Sequence, residues 1–177
     1  MNRYAITLGA AVAAVGAFGS GTATAAVEEA VQFNQGVGTM CQGALPNYEG
    51  SFRKRPLAIK NEGTSSAFLT CGLYSQFDAN TGGVTGVQLI VTNRNAADVD
   101  VSCTLVDGII DPDLGFADYF PLTVSVVAGT ATDLFWDPAG GGGTFDPVFG
   151  FPALSCNVPA NVEINQEAHG YLEEIGA

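Results

Sequence analysis

The segment Val99-Asp-Val-Ser-Cys-Thr-Leu-Val106 constrains the fold more than any other. Val99, Val101, Cys103 and Leu105 fall on one side of an extended chain, and Asp100, Ser102 and Thr104 on the other. Side chains in a strand alternate sides at every residue, so this period of two marks a strand with one buried and one wet face. Gly86-Val-Gln-Leu-Ile-Val-Thr92 repeats the pattern through Val87, Leu89 and Val91. Asn93-Arg-Asn-Ala-Ala-Asp98 between them is polar and turn-like, and the pair reads as a β-hairpin.

Other segments follow the same rule. Ser66 to Tyr74 is a strand after the turn residues Asn61-Glu-Gly-Thr64, and Arg55 to Lys60 is a short strand before them. Tyr119 to Val127 and Thr130 to Trp136 are joined by Ala128-Gly129. Pro121 has no N–H for a ladder, which places it at a sheet edge or a strand start. Phe151 to Val158, Val162 to Asn165 and Gly170 to Glu174 complete the set. Helix is confined to a turn or two at Val27 to Phe33 or near Gly115 to Phe120. Eight or nine short strands with turn signals between them predict an all-β, two-sheet antiparallel sandwich, Ig-like or jelly-roll.

Met1 to Ala25 reads as a secretory signal peptide. A basic start at Arg3 leads into an apolar run from Ala5 to Phe18, and Ala23-Thr24-Ala25 is an A-x-A cleavage site. The run is shorter than the roughly 20 apolar residues of a membrane span. The remaining residues 26–177 are expected to form a single disulfide-stabilised domain, exported to the periplasm or beyond.

Loss of Arg3 with the leader takes the formal charge from −12 to −13, and no Lys or Arg follows Arg94. This field repels phosphate backbones and anionic lipid, which argues against nucleic acid and membrane surfaces as partners. Four of the remaining basic residues crowd into Arg53-Lys-Arg-Pro-Leu-Ala-Ile-Lys60, a flank that discourages edge-to-edge pairing.

Cys41, Cys71, Cys103 and Cys156 are the only cysteines, and their spacing fits no zinc or CxxC pattern. Four cysteines allow three pairings. Val-Ser-Cys103-Thr-Leu and Leu-Ser-Cys156-Asn-Val are matching strand segments suited to lie side by side, which favours Cys103–Cys156 with Cys41–Cys71.

Asn61-Glu-Gly-Thr-Ser-Ser-Ala-Phe-Leu-Thr-Cys71, Val101-Ser-Cys-Thr-Leu105 and Leu154-Ser-Cys-Asn-Val-Pro159, with an acidic strand near the end, carry a resemblance. The mature chain resembles a group of uncharacterised small secreted bacterial β-sandwich proteins with two disulfides. Some members have Cys-Pro where this chain has Cys71-Gly72. The resemblance implies a fold and brings no catalytic residues.

Chemistry-bearing residues are sparse. His169, the only histidine, has no partner motif and is expected to be exposed or in a loop. The Gly140 to Gly143 run has neither the lysine nor the following helix of a phosphate cradle. Asp111, Asp113 and Asp118 offer three carboxylates in one loop, the donor type calcium takes, without the spacing of an EF-hand. Asp133, Asp137 and Asp146 form a weaker cluster beside Trp136. A sugar site would add an exposed aromatic; Tyr48, Phe52, Tyr74, Phe77, Tyr119, Trp136 and Tyr171 are candidates.

These observations together predict a non-catalytic exported β-sandwich with a binding or envelope-associated structural role, needing no cofactor. A carbohydrate- or calcium-binding module is the alternative, with an envelope protein or glycan as partner. A small carboxylate-based hydrolase is a third.

Overall fold

The computed structural model describes residues 28–74, 83–109, 115–138, 143–144 and 148–174. Residues 1–27, which include the expected leader, and Phe77, Asp111, Asp113 and Asp146 lie outside the described residues.

Eleven strands and two single helical turns follow in order: β1 Glu28–Gln35, α1 Val37–Met40, β2 Cys41–Gly43, α2 Pro46–Glu49, β3 Phe52–Arg55, β4 Ala58–Asn61, β5 Ala67–Gly72, β6 Val84–Asn93, β7 Val99–Ile109, β8 Phe116–Val126, β9 Ala131–Trp136, β10 Pro152–Val158 and β11 Val162–Glu174. They form two antiparallel sheets. Sheet A runs β3-β4-β11-β6-β9, with β1 also paired to β11; sheet B runs β2-β5-β10-β7-β8. The sandwich expected from the alternating patterns is present, with more strands than eight or nine. The two places expected to turn helical are strands instead, in β1 and β8, where pairing to β11 and β7 satisfies the backbone. Arg55 to Lys60 is a hairpin rather than one strand, because Pro56-Leu57 turns the chain between β3 and β4. The last two expected strands are one, β11, with register shifts at Ile164/Gln166 and Gly170/Tyr171 that kink it without ending it.

The largest departure concerns β6 and β7. They do not pair; β6 lies between β11 and β9 in sheet A, and β7 between β10 and β8 in sheet B. The polar link is a corner between sheets. Asn93, fully buried at the end of β6, donates through Nδ2 to Ala97 O (2.8 Å) and Val126 O (2.9 Å), and its Oδ1 accepts from Asn95 N (2.8 Å). The same device ends β4. Asn61 Nδ2 donates to Ser65 O (2.9 Å) and Val158 O (2.8 Å), and Oδ1 accepts from Gly63 N (2.9 Å). In each case one amide closes the turn two and four residues on and reaches a strand end of sheet B. It satisfies backbone groups that a corner would otherwise bury without partners.

The core fills the space between the sheets with Val87, Leu89, Val91 and Ile164 from sheet A facing Leu69, Cys103, Leu105 and Leu154 from sheet B. Each apolar side chain contributes about 1.5–3 kcal/mol on burial. Trp136 joins the core and donates its indole Nε1 to Phe120 O at 2.8 Å, which fixes β9 against β8.

Cys103 pairs with Cys156 and Cys41 with Cys71. Each pair sits directly opposed on neighbouring strands, β7 with β10 and β2 with β5. Both bridges therefore lie within sheet B, and neither ties the two sheets together. They fit an oxidising environment. No helix among the described residues is long and apolar enough to cross a membrane.

Candidate functional site

The outer face of sheet A is grooved. Alternation along β6, β11, β1 and β9 sends Gln88 and Ile90, Gln166 and Ala168, Gln32 and Asn34, and Asp133 and Phe135 to this side. The register lines them up in rows across the strands: Phe135 beside Gln88, then Ala168, then Asn34; and Asp133 beside Ile90, then Gln166. One row further on, Gly86 opposes Gly170, which opposes Gln32. Small residues form the floor, so the taller side chains stand as walls.

A cleft of about 310 Å³ includes Ala30, Gln32, Gly86, Gln88, Phe135, Ala168 and Gly170. A second of about 460 Å³ includes Asn34, Leu57, Ile90, Asn165 and Gln166. Residues of the second sit two along from those of the first on β1, β6 and β11, so the clefts run end to end.

Phe135 is 59% exposed and its ring edges over Gly86; a Cβ there would stand 3.1 Å from Phe135 Cζ. The bare backbone leaves that ring its position. Polar groups along the groove are pre-set by one another: Gln88 Nε2 donates to Asp133 Oδ2 at 2.8 Å, and Gln166 Nε2 to Asn34 Oδ1 at 2.8 Å. No Lys or Arg is among the described residues lining either cleft.

The bulge at Asn165 decides what lies beneath. It reverses the side on which β11 side chains point, so Glu167 and His169 follow Ile164 onto the inner face, opposite Leu89 and Val87. His169, expected at the surface, is buried: Nδ1 and Glu167 Oε1 are 2.8 Å apart, and neither side chain reaches solvent. Phe33 of β1 packs on the imidazole with ring centroids 5.4 Å apart. Glu167 Oε2 and His169 Nε2 have no hydrogen-bond partner among the described residues. The Tyr171 ring also neighbours the imidazole, with centroids 6.4 Å apart.

The acidic loop is seen only in part. Asp118 lies on edge strand β8 opposite Asp107, and hydrogen bonds from the Thr144 side chain first and its backbone N–H second lower its pKa. Asp107 is buried and accepts from Gly150 N (3.0 Å) and Phe151 N (2.6 Å). Burial pushes its carboxyl up against those two hydrogen bonds. Its role is to staple the chain entering β10 onto β7. The described residues hold no group of three or more His, Cys, Asp or Glu able to take a metal ion. Of the aromatic candidates, Trp136 is in the core, and Tyr74 and Tyr119 are exposed away from the groove. The groove's own aromatic, Phe135, was overlooked. Its signal was legible in Ala-Thr-Asp-Leu-Phe-Trp136, where alternation puts Leu134 and Trp136 inward and Phe135 outward.

No protein-family model matches this sequence, and no curated protein matches it. Among solved structures, the chain is similar to the CBM22-1–GH10 modules of Clostridium thermocellum endo-1,4-β-D-xylanase 10B complexed with xylohexaose. The identity there is 12% and the TM-score 0.45, over 82% of this chain and 27% of that one. The chain thus spans about a quarter of that structure's length. It is also similar to TmCBM61 in complex with β-1,4-galactotriose, at 9% identity and TM-score 0.39, over 81% of this chain and 88% of that one.

Proposed function

We propose that this chain is an exported, non-catalytic module that binds a neutral glycan in the groove on the outer face of sheet A. The observation that carries this is the pairing of one solvent-facing aromatic with rows of amides over a small-residue floor. A pyranose presents an apolar C–H face and a rim of hydroxyls. Phe135 offers the ring for the first, and Gln88, Gln32, Asn34 and Gln166 offer paired donors and acceptors for the second. From Asn165 to Gly170, β11 extends about 17 Å, enough for a stretch of an extended chain rather than a single sugar. The absence of Lys and Arg from the described lining and the acidic chain favour a neutral ligand over an anionic one. The leader-like start and the two disulfides support a periplasmic or extracellular setting.

Binding to an array of immobilised neutral and acidic glycans tests this reading. The expected result is retention on neutral glycans only, weakened at least tenfold in Phe135→Ala and in Gln88→Ala with the melting temperature unchanged. Failure of the folded protein to hold any neutral glycan, or retention that Phe135→Ala leaves intact, overturns it.

A further inference from the structure

The amides of the groove are held in two ways. Gln166 Nε2 donates to Asn34 Oδ1 at 2.8 Å, and Gln32 Nε2 lies 3.5 Å from the same oxygen. Amide meets amide there, and every amide has a donor end and an acceptor end of similar size. The whole set can turn over together and keep its hydrogen bonds. Asn165 is bonded to the hydroxyl of Thr92, a group that both donates and accepts. Gln88 is held differently. Its Nε2 donates to Asp133 Oδ2 at 2.8 Å. An ionised carboxylate accepts and cannot donate, so this amide has a single orientation. The NH2 end is turned to Asp133, and Oε1 is left free as an acceptor.

Register puts that acceptor beside the ring. Gln88 is directly opposite Phe135 across β6 and β9, and Asp133 is two residues back along β9, opposite Ile90. Such a diagonal is within reach of a long side chain. The alternation of β9 enforces the placement: Leu134 and Trp136 are buried, and Asp133 and Phe135 are exposed on the same side. Gln88 and Phe135 line the cleft of about 310 Å³, whereas Asp133 is not among the described residues lining either cleft. Asp133 therefore acts through Gln88.

We infer that Asp133 is the positioning residue that sets the selectivity of the groove, by holding Gln88 as a fixed hydrogen-bond acceptor beside Phe135. This rests on the reading of the groove as a glycan site and names what the glycan supplies. The sugar stacked on Phe135 presents a donor, a hydroxyl or an amide N–H, at its rim toward β6. A ligand without that donor covers Gln88 Oε1 and leaves it unpaired, and a site built around a hydrogen bond rejects such a ligand strongly. The amides of the second cleft can turn to meet a donor or an acceptor. Selectivity therefore falls on one sugar of the bound chain.

The experiment is titration calorimetry of the oxidised protein with cellohexaose, xylohexaose and mannohexaose, neutral chains that differ in their hydroxyls. NMR of the Gln88 side-chain NH2 and thermal melts accompany it. The variants are Asp133→Asn and the exchanged pair Gln88→Glu/Asp133→Asn. The first sets amide against amide and releases the orientation. The second moves the carboxylate to position 88, where it accepts from the amide at 133 and keeps an acceptor beside the ring. Wild type is expected to bind its best hexasaccharide at least tenfold more tightly than its weakest. Asp133→Asn should bind the best one at least fivefold more weakly, narrow the spread to within threefold and shift the Gln88 NH2 resonances, with the melting temperature unchanged. The exchanged pair should recover wild-type affinity to within threefold. Affinities or Gln88 resonances unchanged in Asp133→Asn overturn the inference and leave the groove reading intact, as does a wild type that binds all three alike. An exchanged pair as weak as Asp133→Asn also overturns it, because the donor end of Gln88 then faces the ligand. Absence of wild-type binding to all three overturns it as well, and the glycan array decides separately whether the groove reading falls too.

Discussion

Sheet A and sheet B share one core and solve stability in different ways. Sheet B is stapled: two covalent bridges join directly opposed cysteines on its inner face, and its outer face is nearly without charge. Sheet A has no bridge. It is organised around β11, the longest strand, which pairs with β1, β4 and β6, bears a bulge and buries a carboxylate–imidazole pair. Its outer face also carries charge, including Glu163, whose Oε2 accepts from Arg94 Nε at 2.9 Å. A sheet held by pairing alone can absorb a bulge, and here the bulge accompanies both the small-residue floor outside and the polar pair inside.

Five measurements would break or sharpen this contrast. The bridges should matter most. Replacing Cys103 and Cys156 with Ser opens a link across 53 residues and should lower the unfolding free energy by about 4 kcal/mol. The Cys41–Cys71 pair, across 30, should cost slightly less. Denaturant titration reads both, and a loss below about 1 kcal/mol for each would mean sheet B stands without them. Next come the corners. Asn93→Ala strands two carbonyls and one N–H and should cost about 3 kcal/mol, with Asn61→Ala close behind. A cost under about 0.5 kcal/mol, the low end for a single hydrogen bond, would show that the corner recruits other partners.

Breaking the buried pair by Glu167→Ala should cost about 2–3 kcal/mol, since it leaves the imidazole of His169 without a partner in the interior. Gln166→Ala, the neighbouring position on the outer face, should change stability by less than about 0.5 kcal/mol, as surface changes usually do. Equal costs at the two positions would mean the bulge does not place Glu167 inside.

The opposed pair Asp107 and Asp118 should respond to pH with opposite signs. Burial raises the Asp107 carboxyl above its ordinary value of 3.8, so the folded state holds that proton longer. Its contribution to stability is greatest in acid and declines as pH rises from 3.8 through the raised value. The Thr144 hydrogen bonds lower Asp118, so its contribution is present above 3.8 and is lost as pH falls through the lowered value. Carboxyl-carbon NMR should find Asp107 titrating at the higher pH; the reverse order would place Asp107 in solvent. The smallest thermodynamic effect belongs to Phe135→Ala, roughly 0.5 kcal/mol or less, because its ring is mostly exposed. A larger loss would show the ring serves the fold.

Local alternation was enough to reveal β6 and β7, and the matching contexts of Cys103 and Cys156 favoured, among three possible pairings, the one that forms. Pro121 pointed to an edge or a strand start, and it lies within the edge strand β8. These succeed because a period of two and a missing N–H are properties of the chain itself. The β6–β7 hairpin failed because a polar link looks the same whether it folds a strand back or carries it across a core. The separate pairings of β6 and β7, with the long-range bond of Asn93 to Val126, distinguish them. The groove was half legible: Phe135 follows from the alternation of β9, but Gln32, Asn34 and Gln166 join it only through the pairings of β11.

The sequence by itself determined which residues can face a core, that the chain is built of strands, and which cysteines suit each other. Tertiary structure alone decided which sheet each strand entered, where both bridges fell, and that a one-residue bulge would send Glu167 and His169 inward and leave Ala168 and Gly170 outside. The physical reason is reach. Side-chain periodicity is set within two residues, whereas strand partnership depends on hydrogen bonds between segments far apart in the chain, such as Asn61 to Val158.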